Sequence, residues 1–562
     1  MKAVKLIFSV FLIAAFMLNT VALAAESSGG KIKFNDKALE QAVRKAIDKP
    51  EGLIYESDVS ELTSLDASGY GIKDLSGLRN FTGLESLNLG YHAGGNSLTD
   101  ISELAYLTKL KELNLSENPL TNISPLKNLT ELESLDLSSN IYLSDISALS
   151  GLKKLTKLNI NNCRVTNISV LKNLTGLTNL NIGDNEIKDL SVLKQLKKLT
   201  ALGVAEVGLT SLAPLAGLTE LTSLDIGYNK KIKSINDINK FPKLTTLSLA
   251  YTDVTDISAL KNLPKLESLD LSYNDNIKFA ALNSLKQLRS LRLEYIGSSG
   301  KIFDLNNIKD LTNLISLDMT GTVIRDLRPV KSLVNLESLD LMDTATKDIS
   351  ALSGLINLKH LDLSRYTTNP NMVTSLNPVK NLTKLETLKV ACDDKLTDIS
   401  VLKNLTGVKD LYLRAKSLTN INVVGFMKGL QRLELRADSL KDINVLKNNT
   451  ELTYFEFHGE ALSNLGVLKY LTKLERVKLD GSKISDVSPL KHLPELEVLH
   501  IVGINYGDNE EGFAAFCNQF DGGFKNLKEI TLNTSCSDYR NSDGYQKIRR
   551  LPSLRKFFLS SM

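Results

Sequence analysis

The sequence predicts a repeat solenoid of the α/β class, in which many short strands stack side by side into one long parallel sheet. Three observations predict this fold. A leucine pattern recurs with a period near 22 residues through almost the whole chain. Within each repeat, apolar and polar residues alternate as they do in a strand with one buried face. The apolar residues that follow recur at every third position, a spacing that suits 3₁₀-type turns.

The repeat unit is clearest in three segments. These are LESLDLSSN at 132–140, LESLDLSYN at 266–274 and LTNLNIGDNEI at 177–187. All three fit L-x-x-L-x-L-x-x-N-x-L, the leucine-rich-repeat signature. Counting from the first leucine, or from the apolar residue in its place, gives 22 units that start at 62, 84, 110, 132, 155, 177, 199, 221, 244, 266, 288, 314, 336, 358, 385, 408, 430, 452, 474, 496, 527 and 554.

One unit shows why the repeats must stack. In the unit that starts at Leu177, Leu180 and Ile182 alternate with polar residues, so their side chains point to one face of a short strand. Asn185 follows at the turn, where its amide can satisfy backbone groups and form a ladder with its copies. A single unit cannot bury its apolar positions, but neighbours on both sides can. The prediction is a right-handed, curved leucine-rich-repeat solenoid with one long parallel sheet on the concave face and 3₁₀ or irregular turns on the convex face.

Four segments are expected along the chain. They are a signal peptide at 1–25, a helical N-terminal cap at 26–61, leucine-rich repeats at 62–502, and degenerate terminal repeats with a C-terminal cap at 503–562. The signal is indicated by Lys2 and Lys5, the apolar run Leu6–Leu18 and the small-x-small site at 22–24. It predicts a secreted protein with no membrane span after cleavage.

The N-terminal cap is predicted to be a helix. Phe34 and Leu39 flank Asn35 as an apolar staple around a helix N-cap, and Leu39, Val43 and Ile47 share one helical face. A second short helix is expected at 57–62. Near the other end, Cys517 and Cys536 lie in the insertions of the last units, where a disulfide between them could tie those units together.

Composition and motifs exclude several functions. The formal net charge of +4 over 562 residues lacks the basic excess that nucleic-acid binding usually requires. The chain has no GxSxG elbow, HExxH pair, P-loop or CxxC pair, so we expect neither an enzyme nor a metal or cofactor site.

The convex-side segments Ile123–Leu126, Ile146–Leu149, Ile257–Leu260 and Ile399–Leu402 read ISPL, ISAL or ISVL. Together with the opening FNDKALEQAVRKAIDKPEG at 34–52, they resemble the internalin class of bacterial leucine-rich-repeat proteins. The resemblance implies a secreted or surface protein of a Gram-positive-type bacterium, an association with virulence, and docking on the concave face. We find no immunoglobulin-like domain or sorting signal after the repeats, so a released or loosely held protein is expected rather than a wall-fixed one.

Residues that point outward from the sheet occupy the third, fifth and seventh positions of each unit. Early units carry Ser, Asn, Asp and Gly there, as is typical of closely stacked parallel strands. From Leu385 onward the same positions carry large charged and aromatic side chains, of the types that are enriched at interfaces. The candidate ligand-binding residues are Lys389, Tyr412, Arg414, Arg432, Arg436, Tyr454, His458, Arg476, Lys478 and His500.

Two interpretations of these residues remain open. Their mixed charges could pair across neighbouring strands as a solvated face, or they could form the contact surface for a partner. The partner is expected to be a protein ligand on a host or bacterial surface. The alternative is an envelope or wall polysaccharide, for which Tyr412 and Tyr454 would supply aromatic platforms. Replacing Tyr412, Arg414, Arg436 and Tyr454 by alanine is expected to abolish partner binding with little change in the thermal melt.

Overall fold

The computed structural model describes residues 30–90, 95–297, 300–344, 346–365, 373–392, 396–481, 483–503, 510–534 and 543–561. The signal peptide expected at 1–25 lies outside these residues. The chain divides into two compact units, unit 1 up to Leu266 and unit 2 from Glu267 onward.

Unit 1 begins with the predicted helical cap, shifted by one residue at its start. Helix α1 (Lys37–Ala46) is capped by Asp36, whose Oδ1 accepts from the backbone N–H of Ala38 at 2.7 Å. The prediction that Asn35 is the cap is wrong, because the Asn35 amide donates instead to Ser76 Oγ at 3.0 Å. Asp36 brings a full negative charge to the positive end of the helix, which an asparagine cannot do.

The buried face of α1 consists of Leu39, Ala42 and Val43, and the second short helix, α2, spans Glu56–Val59. The other carboxylate oxygen of Asp36 accepts from the backbone N–H of Lys73 at 2.7 Å, which ties the cap to the first repeat.

Nine strands of unit 1 pair in parallel and in register, each three residues long. Each begins two residues after the first apolar position of its repeat, as the alternation predicts. They are β1 (Ser64–Asp66), β2 (Ser86–Asn88), β3 (Glu112–Asn114), β4 (Ser134–Asp136), β5 (Lys157–Asn159), β6 (Asn179–Asn181), β7 (Ala201–Gly203), β8 (Ser223–Asp225) and β9 (Thr246–Ser248).

Thirteen strands of unit 2 continue the same spacing and also pair in parallel. They are β10 (Ser268–Asp270), β11 (Ser290–Arg292), β12 (Ser316–Asp318), β13 (Ser338–Asp340), β14 (His360–Leu363), β15 (Thr387–Ala391), β16 (Asp410–Arg414), β17 (Arg432–Arg436), β18 (Tyr454–His458), β19 (Arg476–Asp480), β20 (Val498–Val502), β21 (Glu529–Thr534) and β22 (Lys556–Ser561).

Short 3₁₀ helices return the chain from one strand to the next, as the three-residue spacing predicts. In unit 1 they are Leu78–Asn80, Ser102–Tyr106, Ser124–Asn128, Ser147–Gly151, Ser169–Asn173, Ser191–Gln195, Ala213–Leu215, Asn236–Lys240 and Ser258–Asn262. In unit 2 they are Phe279–Ser284, Leu305–Asn307, Arg328–Ser332, Ser350–Gly354, Asn377–Val379, Ser400–Asn404, Asn422–Phe426, Asn444–Asn448, Leu468–Tyr470, Ser488–His492 and Asn518–Phe520. The predicted leucine-rich-repeat solenoid is thereby confirmed.

The asparagine at the turn forms the expected ladder. The Nδ2 of Asn185 donates to the carbonyl oxygens of Ile160 at 2.8 Å and Ile182 at 3.0 Å, and its Oδ1 accepts from the N–H of Val165 at 3.0 Å. One buried side chain therefore satisfies backbone groups of two neighbouring repeats. The same arrangement is made by Asn118, Asn140 and Asn229.

Cys163 occupies this turn position in its own repeat. Its Sγ lies 3.4 Å from the carbonyl oxygen of Leu137, where the Nδ2 of an asparagine would donate. Burial raises the pKa of the thiol to about 11, so it is protonated at neutral pH and can donate. A structural role for Cys163 follows from this contact.

The repeats of β15–β20 lack the turn asparagine, and their strands are longer than those of unit 1. In unit 1 the residue before the turn asparagine adopts a positive φ, as at Glu117 and Asp184. In unit 2 the corresponding positions hold Ala415, Ala437 and Gly459, and strands β15–β20 run for five residues. The seventh position of each late repeat is thereby brought into the sheet, which positions the candidate site.

The C-terminal segment contains two helices that the sequence did not predict, α3 (Glu510–Cys517) and α4 (Asp543–Arg549). Between these two helices in the chain, the rings of Phe520 and Phe524 stack with their centroids 4.8 Å apart. Cys517 is buried as a free thiol, and burial raises its pKa to about 12. The disulfide expected with Cys536 stays a prediction, because Cys536 lies outside the described residues.

Candidate functional site

The candidate site is the C-terminal strand face, by which we mean the outward side chains of β15–β20. Parallel in-register pairing places equivalent positions side by side, about 4.8 Å apart, in three rows. The third-position row contains Thr387, Asp410, Arg432, Tyr454, Arg476 and Val498; the fifth contains Lys389, Tyr412, Glu434, Glu456, Lys478 and His500; the seventh contains Ala391, Arg414, Arg436, His458, Asp480 and Val502. All ten predicted residues therefore lie on one face.

An aromatic ring lies at the centre of this face. Tyr454 is only 9% exposed, and the guanidinium carbon of Arg432 lies 3.5 Å from its ring centroid. Its hydroxyl donates to Glu456 on the same strand. Arg432 in turn pairs with Glu434, so the guanidinium is held by a ring and a carboxylate together.

Glu456 is the most heavily bonded carboxylate of the face. His458 Nε2 lies 2.7 Å from Glu456 Oε1, and Lys478 Nζ lies 3.5 Å from Glu456 Oε2. The hydrogen bond from His458 lowers the pKa of Glu456 to about 2, outweighing burial, which raises it. Glu456 is therefore ionised at any physiological pH.

His458 lies between two carboxylates. Its Nδ1 is 3.1 Å from Oδ2 of Asp480 on the next strand, in addition to the contact with Glu456. The hydrogen bond to Glu456 is the main cause that raises the pKa of His458, and the bond to Asp480 adds to it, against burial and the nearby charge of Arg436. The imidazole is consequently held toward its cationic form.

The two ends of the face are also paired. Lys389 Nζ lies 3.4 Å from Asp362 on β14. Burial lowers the pKa of Lys389, but Asp362 and the more distant carboxylates of Asp410 and Asp340 outweigh it, so the pKa is raised. At the other end, His500 Nε2 lies 3.1 Å from Oε1 of Glu529 on β21. Much of the charge on this face is therefore compensated between neighbouring strands, as one of the two interpretations expected.

The positive charges of two arginines on this face are not neutralised by any described residue. Within the described part of the chain, the side chains of Arg436 and Arg476 make no hydrogen bond and no ion pair. The Nε of Arg436 is shielded from solvent without an acceptor. Arg476 is exposed. Each retains hydrogen-bonding capacity that a ligand could use.

Two predicted residues are less accessible than their role as contact residues assumed. Tyr412 is 7% exposed and Tyr454 is 9% exposed, so neither ring offers a free platform. Their replacement by alanine would remove buried aromatic packing, which usually costs about 3–5 kcal/mol. We therefore expect the fourfold alanine variant to melt at a lower temperature than the parent, rather than nearly unchanged as the sequence alone suggested.

The carboxylates that organise the face were not among the predicted site residues. Glu456 contacts His458 and Lys478, and Asp362 pairs with Lys389, while Glu529 contacts His500 from a strand beyond the predicted face. A usable signal was present in the sequence. In-register stacking of the repeats places Asp362 beside Lys389 and Glu456 beside Lys478, while Glu529 lies beside Val498 and reaches His500 diagonally.

A further acidic row lies on the adjoining strands β12–β14. Asp318, Asp340 and Asp362 are in register, and Asp340 Oδ1 accepts from the N–H of Met342 at 2.8 Å and the hydroxyl of Thr320 at 3.0 Å. Burial, together with the flanking carboxylates, raises the pKa of Asp340 to about 6.

Exposed tyrosines lie at the end of four earlier strands, each with a positive φ. In unit 1 the ring centroids of Tyr228 and Tyr251 are 5.3 Å apart, and in unit 2 Tyr273 and Tyr295 stack at 5.0 Å. Their exposed fractions range from 36% to 47%. None of these four tyrosines was among the candidate residues predicted from the sequence.

No group of three or more His, Cys, Asp or Glu side chains among the described residues is arranged to hold a metal ion. No described helix is long and apolar enough to span a membrane.

Family models match most of the repeat region. The model described as "Leucine-rich repeat region" matches residues 265–537, and "Leucine Rich repeats (2 copies)" matches 108–151, 153–195 and 242–287. These matches agree with the strand and 3₁₀ pattern of both units. The chain is a leucine-rich-repeat protein. No curated protein matches it in sequence.

Solved structures of other repeat proteins are similar to the chain. Internalin F of Listeria monocytogenes is 23% identical, with 79% of this chain and 96% of that chain covered and a TM-score of 0.30. Internalin C2 of the same organism is 26% identical, with 52% and 100% covered and a TM-score of 0.31. The structure described as the TLR13–ssRNA13 complex is 18% identical, with 84% and 95% covered and a TM-score of 0.47. With every TM-score below 0.5, these likenesses do not indicate what the chain binds.

Proposed function

We propose that the chain is a secreted or surface-associated, non-catalytic binding protein that holds a protein ligand on the C-terminal strand face. The observation that carries the proposal is the packing of Arg432 on Tyr454 with Glu456 beneath the hydroxyl. Side chains fixed in this way before binding lose little conformational entropy when a ligand arrives.

The contrast with unit 1 supports a specialised surface. There the outward positions of β6–β8 hold short side chains such as Asn179, Ala201 and Gly203, which line a shallow depression of about 410 Å³. Large charged side chains on β15–β20 instead offer hydrogen-bond donors in a fixed arrangement. Arginine in such settings is enriched at interface hot spots.

A matched pair of variants tests the proposal. Arg414→Glu with Arg436→Glu reverses two charges on the face, while Lys403→Glu with Lys447→Glu reverses two exposed charges on the 3₁₀ side. The chain is used to capture proteins from host-surface and bacterial-envelope extracts. We expect a ligand that binds the parent and the 3₁₀-side variant but is lost from the face variant. Equal capture by all three proteins would overturn the proposal.

Binding of a wall or envelope polysaccharide is the second candidate function. The exposed rings of Tyr273 and Tyr295 favour it over the buried Tyr412 and Tyr454, because sugar rings pack on accessible aromatic surfaces. Capture that resists protease treatment and is lost from Tyr273→Ala with Tyr295→Ala would establish this alternative. Tyr106→Ala, which removes an exposed ring elsewhere, is the control.

A further inference from the structure

Among the residues that the structure describes, the ion pairs of the C-terminal strand face leave two guanidinium groups without a partner, those of Arg436 and Arg476. The geometry points to an acidic segment of the protein ligand as their occupant, with one carboxylate on each arginine. This inference rests on the proposed function and names the chemistry of its ligand.

Arg436 is surrounded by groups that cannot neutralise it. Arg414 lies directly beside it in register, and like charges in that position repel. On its other side His458 is held toward its cationic form. Glu434 already pairs with Arg432, and Glu456 already pairs with His458 and Lys478.

The Nε of Arg436 adds a second, independent observation. This donor is shielded from solvent and has no acceptor within the described residues. Only the Nε of this partly exposed side chain is shielded, so a ligand carboxylate would bind the Nη atoms of Arg436 and supply the counter-charge that the described face lacks. A carboxylate matches the planar fork of a guanidinium with two parallel hydrogen bonds.

Arg476 provides the second anchor on the other side of the Tyr454 ring. It lies in register between Tyr454 and Val498, is exposed, and makes no ion pair with any described residue. Arg436 and Arg476 are two strands and four residues apart. At about 4.8 Å per strand and 3.3 Å per residue their separation is roughly 16 Å, which an extended peptide spans in about five residues.

The acidic side chains of the face favour a ligand whose negative charges are widely spaced. Glu434, Glu456 and Asp480 lie between or beside the two arginines. A polymer with charge at every unit, such as a nucleic acid or a sulfated glycan, would place anions against these carboxylates. A peptide with two carboxylates about five residues apart avoids that repulsion.

Synthetic peptides test this spacing on the full chain at low ionic strength. The probes are a short peptide with two glutamates five residues apart, the same peptide with the glutamates two residues apart, its glutamine version, and a heparin oligosaccharide. The proteins are the parent, Arg436→Gln with Arg476→Gln, and the control Lys403→Gln with Lys447→Gln, which loses the same charge from the 3₁₀ side. Fluorescence anisotropy gives each dissociation constant.

We expect the widely spaced glutamate peptide to bind the parent and the control equally, and to bind the double arginine variant about a hundredfold more weakly, at about tenfold for each lost arginine. The narrow and glutamine peptides should bind more weakly. Equal binding by the arginine variant, or tighter binding of the heparin oligosaccharide than of the peptide, would overturn the inference. If the face variants lose the captured ligand while no glutamate peptide binds, the inference fails and the proposed function stands.

Discussion

The guanidinium carbon of Arg432 lies 3.5 Å from the centroid of the Tyr454 ring, across in-register positions of adjacent strands. The hydroxyl of the same tyrosine donates to Glu456, which also accepts from His458. One buried ring therefore orients a cation above it and an anion at its edge. This arrangement fixes the centre of the C-terminal strand face before any ligand binds.

Tyr454→Phe tests the hydrogen bond from the Tyr454 hydroxyl to the carboxylate of Glu456. The ring stays, but Glu456 loses a donor, and a hydrogen bond to a charged group contributes about 1.5–3 kcal/mol. We expect the free energy of unfolding to fall by that amount in urea titrations. Tyr470→Phe, at a ring that is 57% exposed on the 3₁₀ side, is the control and should have the stability of the parent. Equal stability of the two variants would contradict the role given to the hydroxyl.

His458→Gln should alter how stability depends on pH. Because folding raises the pKa of His458, its contribution is complete below its ordinary pKa near 6.5 and is lost as pH rises through the raised value. The parent should therefore lose melting temperature above pH 6.5, and the variant should lose less. His492→Gln, at an exposed histidine on the 3₁₀ side, should keep the pH profile of the parent. Identical profiles for the parent and His458→Gln would rule the mechanism out.

Asp340→Asn is expected to stabilise the protein at neutral pH. The Oδ1 that accepts from Met342 and Thr320 is retained, while a charge beside Asp318 and Asp362 is removed. Since folding raises the pKa of Asp340 to about 6, the parent is penalised above that pH and not below about 4. The gain should reach about 1–3 kcal/mol at pH 7 and vanish near pH 4.

Asp136→Asn is the control for that measurement. Asp136 occupies the same repeat position in unit 1, but its in-register neighbours are Asn114 and Asn159, which carry no charge. A gain in this control as large as that of Asp340→Asn would show that the flanking carboxylates are not the cause.

Asn185→Ala should destabilise unit 1. It removes the acceptor of the Val165 N–H and the donor to the carbonyl oxygens of Ile160 and Ile182 in the interior. Buried groups left without partners cost about 1–3 kcal/mol each, so a total of about 2–4 kcal/mol is expected. Asn179→Ala, on the exposed strand face, should change the free energy of unfolding by less than about 0.5 kcal/mol. Similar losses in the two variants would argue against the ladder.

The strands and 3₁₀ turns could be predicted from sequence because one leucine pattern determines both. Leu180 and Ile182 specify the buried face of a strand, and Asn185 specifies the turn after it. Repetition then fixes the pairing register, since each strand lies beside an equivalent strand. The cap of α1 was missed by one residue because Asn35 and Asp36 are both good N-caps, and the contacts that distinguish them, Asp36 with Lys73 and Asn35 with Ser76, are distant in sequence.

The sequence also predicted which residues form the rows of the candidate site. It did not predict how deeply their side chains are buried. Alternation places Tyr412 and Tyr454 on the outward side of the sheet, which suggests exposure. For Tyr454 the burial includes the guanidinium of Arg432, which lies over the ring. Such packing depends on side-chain conformations, which a periodic pattern does not encode.

The most direct test of the central claim, that a protein ligand docks on the C-terminal strand face, is site-specific photo-crosslinking. A photoreactive residue is placed at Thr387 or Val502, which are uncharged members of the face on its first and last strands, β15 and β20. Lys403 and Lys447, on the 3₁₀ side, receive the same residue as controls. The account predicts crosslinks to the captured ligand from Thr387 and Val502 and none from the lysine positions. Crosslinks from Lys403 or Lys447 without any from Thr387 and Val502 would contradict it.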